Sequence, residues 1–156
     1  MSLPVAVRDK PGHHDLNMLI EATPTLGRSS CTPLRILHLE DNFDDTELIA
    51  QTLQSAGIPC QITWVDDEEG FSAALRQGEV DVILSDSNLP GFSGLTALKM
   101  TRDANVGVPF VFVSGHATLE GRNNALRLGA SDFLSKDHRA QLIFLVQRLK
   151  GEISGE

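Results

Sequence analysis

The chain has 156 residues, which is enough for one domain with a substantial hydrophobic core. Its formal net charge of -8 argues against nonspecific binding to nucleic acid or to an acidic membrane, and is compatible with a bound cation. No apolar run approaches the roughly 18 residues of a membrane span, and the N-terminus lacks the layout of a signal peptide. Cys31 and Cys60 have neither metal-type nor disulfide-framework spacing, so we expect a protein of the reducing cytoplasm.

Residues 1–33 are richer in proline and glycine than the rest of the chain and contain one short apolar segment, LNMLI. This composition is typical of a leader or linker with room for a short helix near residues 14–22, or of a piece of a neighbouring domain. We expect the folded domain to cover residues 34–150 and to be followed by a tail at 151–156.

From residue 34 onward, short apolar runs alternate with segments of helical periodicity. Asp44-Asp45 can cap the first helix, and Asp66 with Glu69 forms a capping-box arrangement for the second. The alternation predicts a parallel sheet with right-handed crossovers and helices on both faces, with the short, mixed second strand at its edge. The predicted strands are 34–39, 60–65, 80–84, 108–113 and 131–135, and the helices are 44–57, 66–77, 94–104, 119–128 and one that starts near 137 or 138.

Polar residues follow four of the five predicted strands. Ligands of such sheets bind outside the carboxyl ends of the strands, near the point where the strand order reverses. We therefore expect three carboxylates, a hydroxyl and an ammonium to converge on one crevice. The residues are Glu40-Asp41 after the first strand, Asp86 and Asn88 after the third, Ser114-Gly115-His116 after the fourth, and Lys136 at the end of the fifth.

Asp86 lies in the segment SDSNLPGFSG (residues 85–94), which follows an apolar run, so it is a turn cap, a metal ligand or a nucleophile. Crowded carboxylates repel each other unless a cation intervenes, and hard oxygen ligands with room for water suit Mg²⁺, with Mn²⁺ as a substitute. Asp41 and Asp86 are then direct ligands and Glu40 acts through water; the alternative for Glu40-Asp41 is a helix cap. An aspartate beside Mg²⁺ can also attack phosphorus, with Lys136 supplying positive charge.

Four segments carry a family resemblance: LEDN after the first strand, SDSNLPGFSG after the third, FVSGHA at the fourth and GASDFLSK at the fifth. Together and in this order, they make residues 34–150 resemble the receiver domain of bacterial two-component response regulators. The resemblance implies a flavodoxin-like, doubly wound α/β fold. Its five-stranded parallel sheet has the strand order 2-1-3-4-5, with helices on both faces.

The resemblance also implies a role for each residue of the crevice. Asp86 is expected to accept a phosphoryl group from a phosphohistidine on a sensor histidine kinase or histidine phosphotransfer protein, and the domain to catalyse its own dephosphorylation. The other positions are Asp41 and the backbone carbonyl of Asn88 as metal ligands, Glu40 in the acidic pair, Ser114 as switch hydroxyl, Lys136 as phosphate-binding lysine and Phe133 as the aromatic that turns inward on phosphorylation.

Three residues depart from or refine the family pattern. Asp137 follows the lysine where the family usually has proline, which leaves the shape of that loop open. Phe133 replaces the commoner tyrosine and has no phenolic hydroxyl. His116 lies two residues after the switch hydroxyl, where it is expected to tune the phosphoryl lifetime together with Asn88.

Other functions remain open at this point. One is an enzyme or flavin binder on the same fold, although no G-x-S-x-G, G-x-x-x-x-G-K-[ST] or G-x-G-x-x-G motif is present; another is a docking-only module. Because few residues follow the last helix, we expect a stand-alone receiver that contacts a downstream protein, or a fragment of a larger hybrid kinase or regulator with a fused effector. Homodimerisation through the last strand and last two helices is a further expectation. The charges there are Arg122, Arg127, Asp132 and Arg139, which alternatively form a solvated surface.

Overall fold

The computed structural model describes residues 5–8, 33–87, 89–104 and 107–153. From residue 34 onward, strands and helices alternate along the chain, as predicted. The strands are β1 (Val5–Arg8), β2 (Leu34–Leu39), β3 (Cys60–Val65), β4 (Val82–Ser85), β5 (Phe110–Ser114) and β6 (Asp132–Ser135). The helices are α1 (Phe43–Ser55), α2 (Glu68–Gln77), α3 (Gly94–Asp103), α4 (Leu119–Arg127) and α5 (Ala140–Ile153), and a 3₁₀ turn (Lys136–His138) precedes α5.

The strands form one parallel sheet in the order β1-β3-β2-β4-β5-β6. Numbered from β2 onward, the strand order is 2-1-3-4-5, which confirms the predicted fold. The order reverses between β2 and β4, so the crevice outside their carboxyl ends is the expected binding position.

The strand β1 was not predicted. It pairs with β3 in parallel, with Val5 level with Cys60 and Arg8 level with Thr63. The prediction that residues 60–65 form an edge strand was therefore wrong, because the mixed composition of β3 reflects its partial burial and not a free edge. The helix predicted near residues 14–22 lies outside the described residues.

Two helices begin with caps other than those predicted. The N-cap of α1 is Asn42, whose side chain accepts a hydrogen bond from the Asp44 backbone N–H at 3.0 Å. Asp44 and Asp45 instead lie in the first turn of α1. α2 is capped by Asp67 and not by the residue before it. Where several capping residues are adjacent, composition does not say which one takes the extended backbone conformation of a cap.

Two hydrophobic layers enclose the sheet, because alternate side chains of a strand point to opposite faces. α1 and α5 cover one face, and α2, α3 and α4 cover the other. The first layer includes Ile36, Leu84, Val111, Leu53 and Val146; the second includes Leu37, Ile83, Phe112, Phe71 and Leu98. None of the helices in the described part of the chain is both long and apolar enough to cross a bilayer.

Candidate acidic site at the carboxyl edge of the sheet

The two acidic segments are fixed to neighbouring strands by their own backbones. The Glu40 N–H donates to the Val65 carbonyl at 2.9 Å, and the Asp86 N–H donates to the Leu39 carbonyl at 3.0 Å. Both residues therefore continue the sheet pairing by one position beyond the strand ends, which brings their side chains into the same crevice.

Three carboxylates meet in this crevice. Glu40, Asp41 and Asp86 each offer one oxygen, and these oxygens lie within 4.8 Å of one another. Glu40 and Asp86 are buried, whereas Asp41 is exposed. Burial raises the pKa of Glu40 to about 7, Lys136 opposes this shift, and the charge of Asp86 adds to it. Oxygen ligands with one member open to solvent are the donor set that Mg²⁺ prefers, so these residues fit a magnesium ion.

Lys136 supplies positive charge to the same crevice. Its Nζ lies 3.1 Å from Glu40 Oε1, 3.4 Å from Asp86 Oδ2 and 2.6 Å from Asp45 Oδ2. Burial lowers the pKa of Lys136, but the hydrogen bonds and charges of its carboxylate neighbours outweigh burial and raise it above its usual range. Asp45 had been predicted only as a helix cap, since nothing in its local sequence shows that α1 turns it toward the end of β6.

Ser114 lies buried at the end of β5. Its hydroxyl oxygen is 2.8 Å from the hydroxyl oxygen of Ser87 and accepts a hydrogen bond from the His116 backbone N–H at 3.1 Å. The His116 side chain is exposed. Ser87 is a second crevice residue that the sequence did not single out.

Phe133 occupies an inward position. Its ring is only 9% exposed, and its centroid lies 5.6 Å from that of Phe112, the residue opposite it on β5. The resemblance associates this inward position with phosphorylation.

The loop after β6 accommodates Asp137 in a 3₁₀ turn. The Asp137 N–H donates to Ser135 Oγ at 3.1 Å, and Arg139 donates to the Lys136 carbonyl at 2.9 Å. Proline at residue 137 would lack the N–H that makes the first of these bonds. These two bonds hold the backbone that carries Lys136.

An aromatic pair, Trp64 and Phe43, lies next to the acidic segment at Glu40. The indole N–H of Trp64 donates to the Glu40 carbonyl at 2.7 Å, and the Trp64 ring packs edge-on against Phe43 with centroids 4.9 Å apart. Trp64 was not predicted to be near the site. It is the only tryptophan in the sequence, so its fluorescence reports on this crevice.

The remaining predicted positions are Asn88 and the charged residues near the end of the chain. Asn88 lies outside the described residues. On the face formed by α4, β6 and α5, Arg122 pairs with Asp132 at 3.6 Å and Arg127 donates to Asn124 at 2.8 Å.

The parallel sheet and its acidic crevice define a receiver-type α/β domain. Residues 36–147 match the family model for the response regulator receiver domain. The chain belongs to this family, which confirms the resemblance seen in its four motifs.

Relatives of this chain are response regulators. It is 31% identical over 117 residues to the transcriptional regulatory protein DltR of Streptococcus agalactiae, an alignment covering 75% of this chain and 51% of DltR. It is 32% identical over 123 residues to the cell cycle response regulator CtrA of Brucella ovis, covering 76% and 52% of the two chains. The chain thus spans about half the length of these relatives. The Francisella response regulator 1452 receiver domain has the same fold, with a TM-score of 0.68, 24% identity, and 78% and 99% of the two chains covered.

Proposed function

We propose that this chain is a phospho-accepting receiver of a two-component phosphorelay, in which Asp86 takes a phosphoryl group from a phosphohistidine of a histidine kinase or phosphotransfer protein. The observation that carries the proposal is the meeting of Asp86 with Glu40, Asp41 and Lys136 at the switch point of a receiver fold. Reactions of this kind depend on positioning and on neutralising the charge of the phosphoryl oxygens.

The transfer follows from the placement of Asp86. One carboxylate oxygen attacks phosphorus and forms a P–O bond while the P–N bond to the imidazole breaks. The imidazole, which already carries a proton on its other ring nitrogen, takes the electron pair of the broken bond and leaves as the neutral base. Lys136, whose Nζ lies 3.4 Å from Asp86 Oδ2, is in position to pair with a phosphoryl oxygen. The product carries about -1.5 to -2 charges on its phosphoryl group at neutral pH.

The acidic residues would hold a magnesium ion. Asp41 and Asp86 are the proposed direct ligands, together with the backbone carbonyl of Asn88, and Glu40 contributes through water. When bound, Mg²⁺, or Mn²⁺ in its place, supplies two positive charges that offset those of the carboxylates and the phosphoryl oxygens. Among the proposed ligands that the structure describes, Asp41 is the most exposed to solvent.

Ser114 and its neighbours would change position when Asp86 is phosphorylated. We propose that the phosphoryl group draws the Ser114 hydroxyl away from Ser87. Because Ser114 pairs with Ser135 across β5 and β6, this movement reaches the strand that carries Phe133. Asn88 and His116, whose side chain is exposed, are proposed to tune the rate at which water removes the phosphoryl group from Asp86.

The output is proposed to be protein contact. The receiver acts in the cytoplasm on a downstream protein or a fused effector domain, with the face of α4, β6 and α5 as the switching or homodimer surface. It has no proposed enzyme activity beyond its own phosphorylation and dephosphorylation, and no nucleic-acid or membrane contact of its own.

The test is phosphorylation by acetyl phosphate in the presence of Mg²⁺, followed by intact-mass spectrometry. We expect one acid-stable, base-labile phosphoryl group on the wild type and none on Asp86→Asn. Asp44→Asn, which removes an exposed carboxylate from α1, is the matched control and should be phosphorylated normally. A wild type that binds Mg²⁺ but gains no mass would contradict the proposal in favour of a docking-only module, and bound flavin would favour a cofactor-binding protein.

A further inference from the structure

Lys136 has a carboxylate neighbour that no part of the proposed reaction uses. Of its three contacts, the one to Asp45 is the shortest, at 2.6 Å, compared with 3.1 Å to Glu40 and 3.4 Å to Asp86. Charge-assisted bonds between ammonium and carboxylate groups are typically about 2.7–2.9 Å long. The ammonium is therefore bound most closely by Asp45 and least closely by Asp86.

Asp45 is held in this position by the start of α1. Asn42 caps the helix, and its carbonyl accepts a hydrogen bond from the Asp45 N–H at 3.0 Å. The next residue, Thr46, is fully buried, which fixes the rotation of the first turn. The Asp45 carboxylate thus reaches across to a lysine 91 positions later in the chain.

An ammonium group has three N–H donors. Lys136 donates hydrogen bonds to Asp45 and Asp86 and forms an ion pair with Glu40 at 3.1 Å, so a phosphoryl oxygen has to compete with these carboxylates for the ammonium. We propose that Asp45 is a positioning residue that holds Lys136 in the unphosphorylated state and thereby lowers the affinity of the crevice for a phosphoryl group. This inference rests on the proposed function.

Whether the affinity for a phosphoryl group rises or falls depends on the contacts that Lys136 keeps when Asp45 loses its charge. Lys136 still contacts Glu40 and Asp86, which both lie at the phosphoacceptor end of the crevice, so it stays oriented. Without Asp45 its ammonium is free to move toward Asp86. Asp45→Asn should therefore favour binding of a phosphoryl group and not disrupt it.

The probe is beryllium trifluoride, a stable mimic of a phosphoryl group on aspartate, titrated at saturating Mg²⁺ while Trp64 fluorescence is followed. We expect Asp45→Asn and Asp45→Ser to bind it about tenfold more tightly than the wild type, which corresponds to about 1.4 kcal/mol, because the competing charge-assisted hydrogen bond is lost. Asp45→Glu, which keeps the charge, should stay near the wild type.

Asp44→Asn is the matched control, because it removes the same charge from the same helical turn at an exposed position. It should change the affinity by less than about twofold, as expected for a screened surface charge. An equal gain in Asp44→Asn and Asp45→Asn would mean that net charge, and not the contact with Lys136, is responsible, and would overturn the inference.

A double-mutant cycle tests whether Asp45 acts through Lys136. In a Lys136→Met background, Asp45→Asn should shift the affinity no more than Asp44→Asn does; a retained tenfold gain would overturn the inference. If the wild type binds the mimic and Asp45→Asn binds it equally or more weakly, the inference alone fails. If the wild type neither binds the mimic nor accepts a phosphoryl group, the proposed function fails with it.

Discussion

Ser114 is buried at the end of β5, and its hydroxyl already has a partner in Ser87 at 2.8 Å. In the proposed switch a phosphoryl group draws this hydroxyl toward Asp86, and the contact with Ser87 competes with that movement. Ser87→Ala should therefore tighten the binding of beryllium trifluoride about fivefold, because a neutral hydrogen bond is worth about 1 kcal/mol net. Ser87→Thr keeps the hydroxyl and serves as the control. Equal affinities of Ser87→Ala and the wild type would mean that the resting contact does not restrain Ser114.

His38 lies beneath the acidic crevice and is fully buried. Its Nδ1 is 2.9 Å from Thr46 Oγ1, and its Nε2 is 3.9 Å from Glu40 Oε1. Burial, assisted by the charge of Lys136, lowers the pKa of His38 from 6.5 to about 3, while Asp45 opposes the shift. The imidazole is therefore neutral in the folded protein at neutral pH.

The lowered pKa of His38 predicts a loss of stability in acid. Below pH 6.5 the unfolded chain takes up a proton at His38 that the folded protein does not, so the contribution of this residue to stability is full above pH 6.5 and falls as the pH drops toward 3. By about pH 5 the loss should be about 2 kcal/mol, at 1.36 kcal/mol per pKa unit. The raised pKa of Glu40 has the opposite effect on stability. Its contribution to the free energy of unfolding falls as the pH rises from 4.5 to about 7.

The measurement is therefore a difference between variants. Urea unfolding in EDTA across this pH range should give a wild-type free energy that falls more steeply in acid than that of His38→Asn. The control, His138→Gln, removes an exposed imidazole. Parallel curves for the wild type and His38→Asn would contradict a neutral, buried His38.

The start of helix α3 lies against the segment that carries Asp86. A Cβ on Gly94 would lie 2.5 Å from the Asp86 carbonyl oxygen and 2.7 Å from Phe112 Cε1. Both neighbours belong to the packed sheet, so a methyl group here forces the helix away from β4. Gly94→Ala should lower the free energy of unfolding by about 1–3 kcal/mol, the usual cost of overpacking.

Gly107→Ala provides the comparison for Gly94→Ala. No heavy atom lies within 4 Å of a Cβ built there, so the added methyl group has space. Its effect on the urea midpoint should be small, within about 0.5 kcal/mol. Equal effects of the two substitutions would mean that the close approach to Asp86 is not what requires glycine at residue 94.

From residue 34 onward, the elements could be predicted from the sequence because their signals are local. Apolar runs and helical spacing predicted β2 to β6 and α1 to α5, and the carboxyl-end rule predicted that Asp86 and Lys136 share an edge. Residues whose role depends on a partner far along the chain were missed. Asp45 contacts Lys136 because of how α1 packs on the sheet, and Trp64 contacts Glu40 because β3 pairs with β2. β1 was missed because four residues in a segment rich in proline and glycine give too short a pattern.

For the molecule as a whole, we expect the acidic cluster to lower the free energy of unfolding and the proposed Mg²⁺ to restore it. The chain has a net charge of -8, and three of its carboxylates offer oxygens within 4.8 Å of one another. Like charges at this separation repel, and an ion that binds only the folded state adds RT ln(1 + [L]/Kd) to its stability. At about 100 times its Kd, Mg²⁺ should therefore add about 2.7 kcal/mol to the free energy of unfolding.

Asp41→Asn distinguishes the repulsion between the carboxylates from the stabilisation that bound Mg²⁺ provides. In EDTA the variant should be at least as stable as the wild type, because one repelling charge has gone, but it should lose most of the increment that Mg²⁺ provides. Asp44→Asn should keep the full increment, since its exposed carboxylate lies on α1 outside the cluster. Urea unfolding with and without Mg²⁺ gives both numbers for each protein. An increment in Asp41→Asn equal to that of the wild type would remove Asp41 from the proposed ligand set, because the stabilisation would then come from general screening of the negative charge.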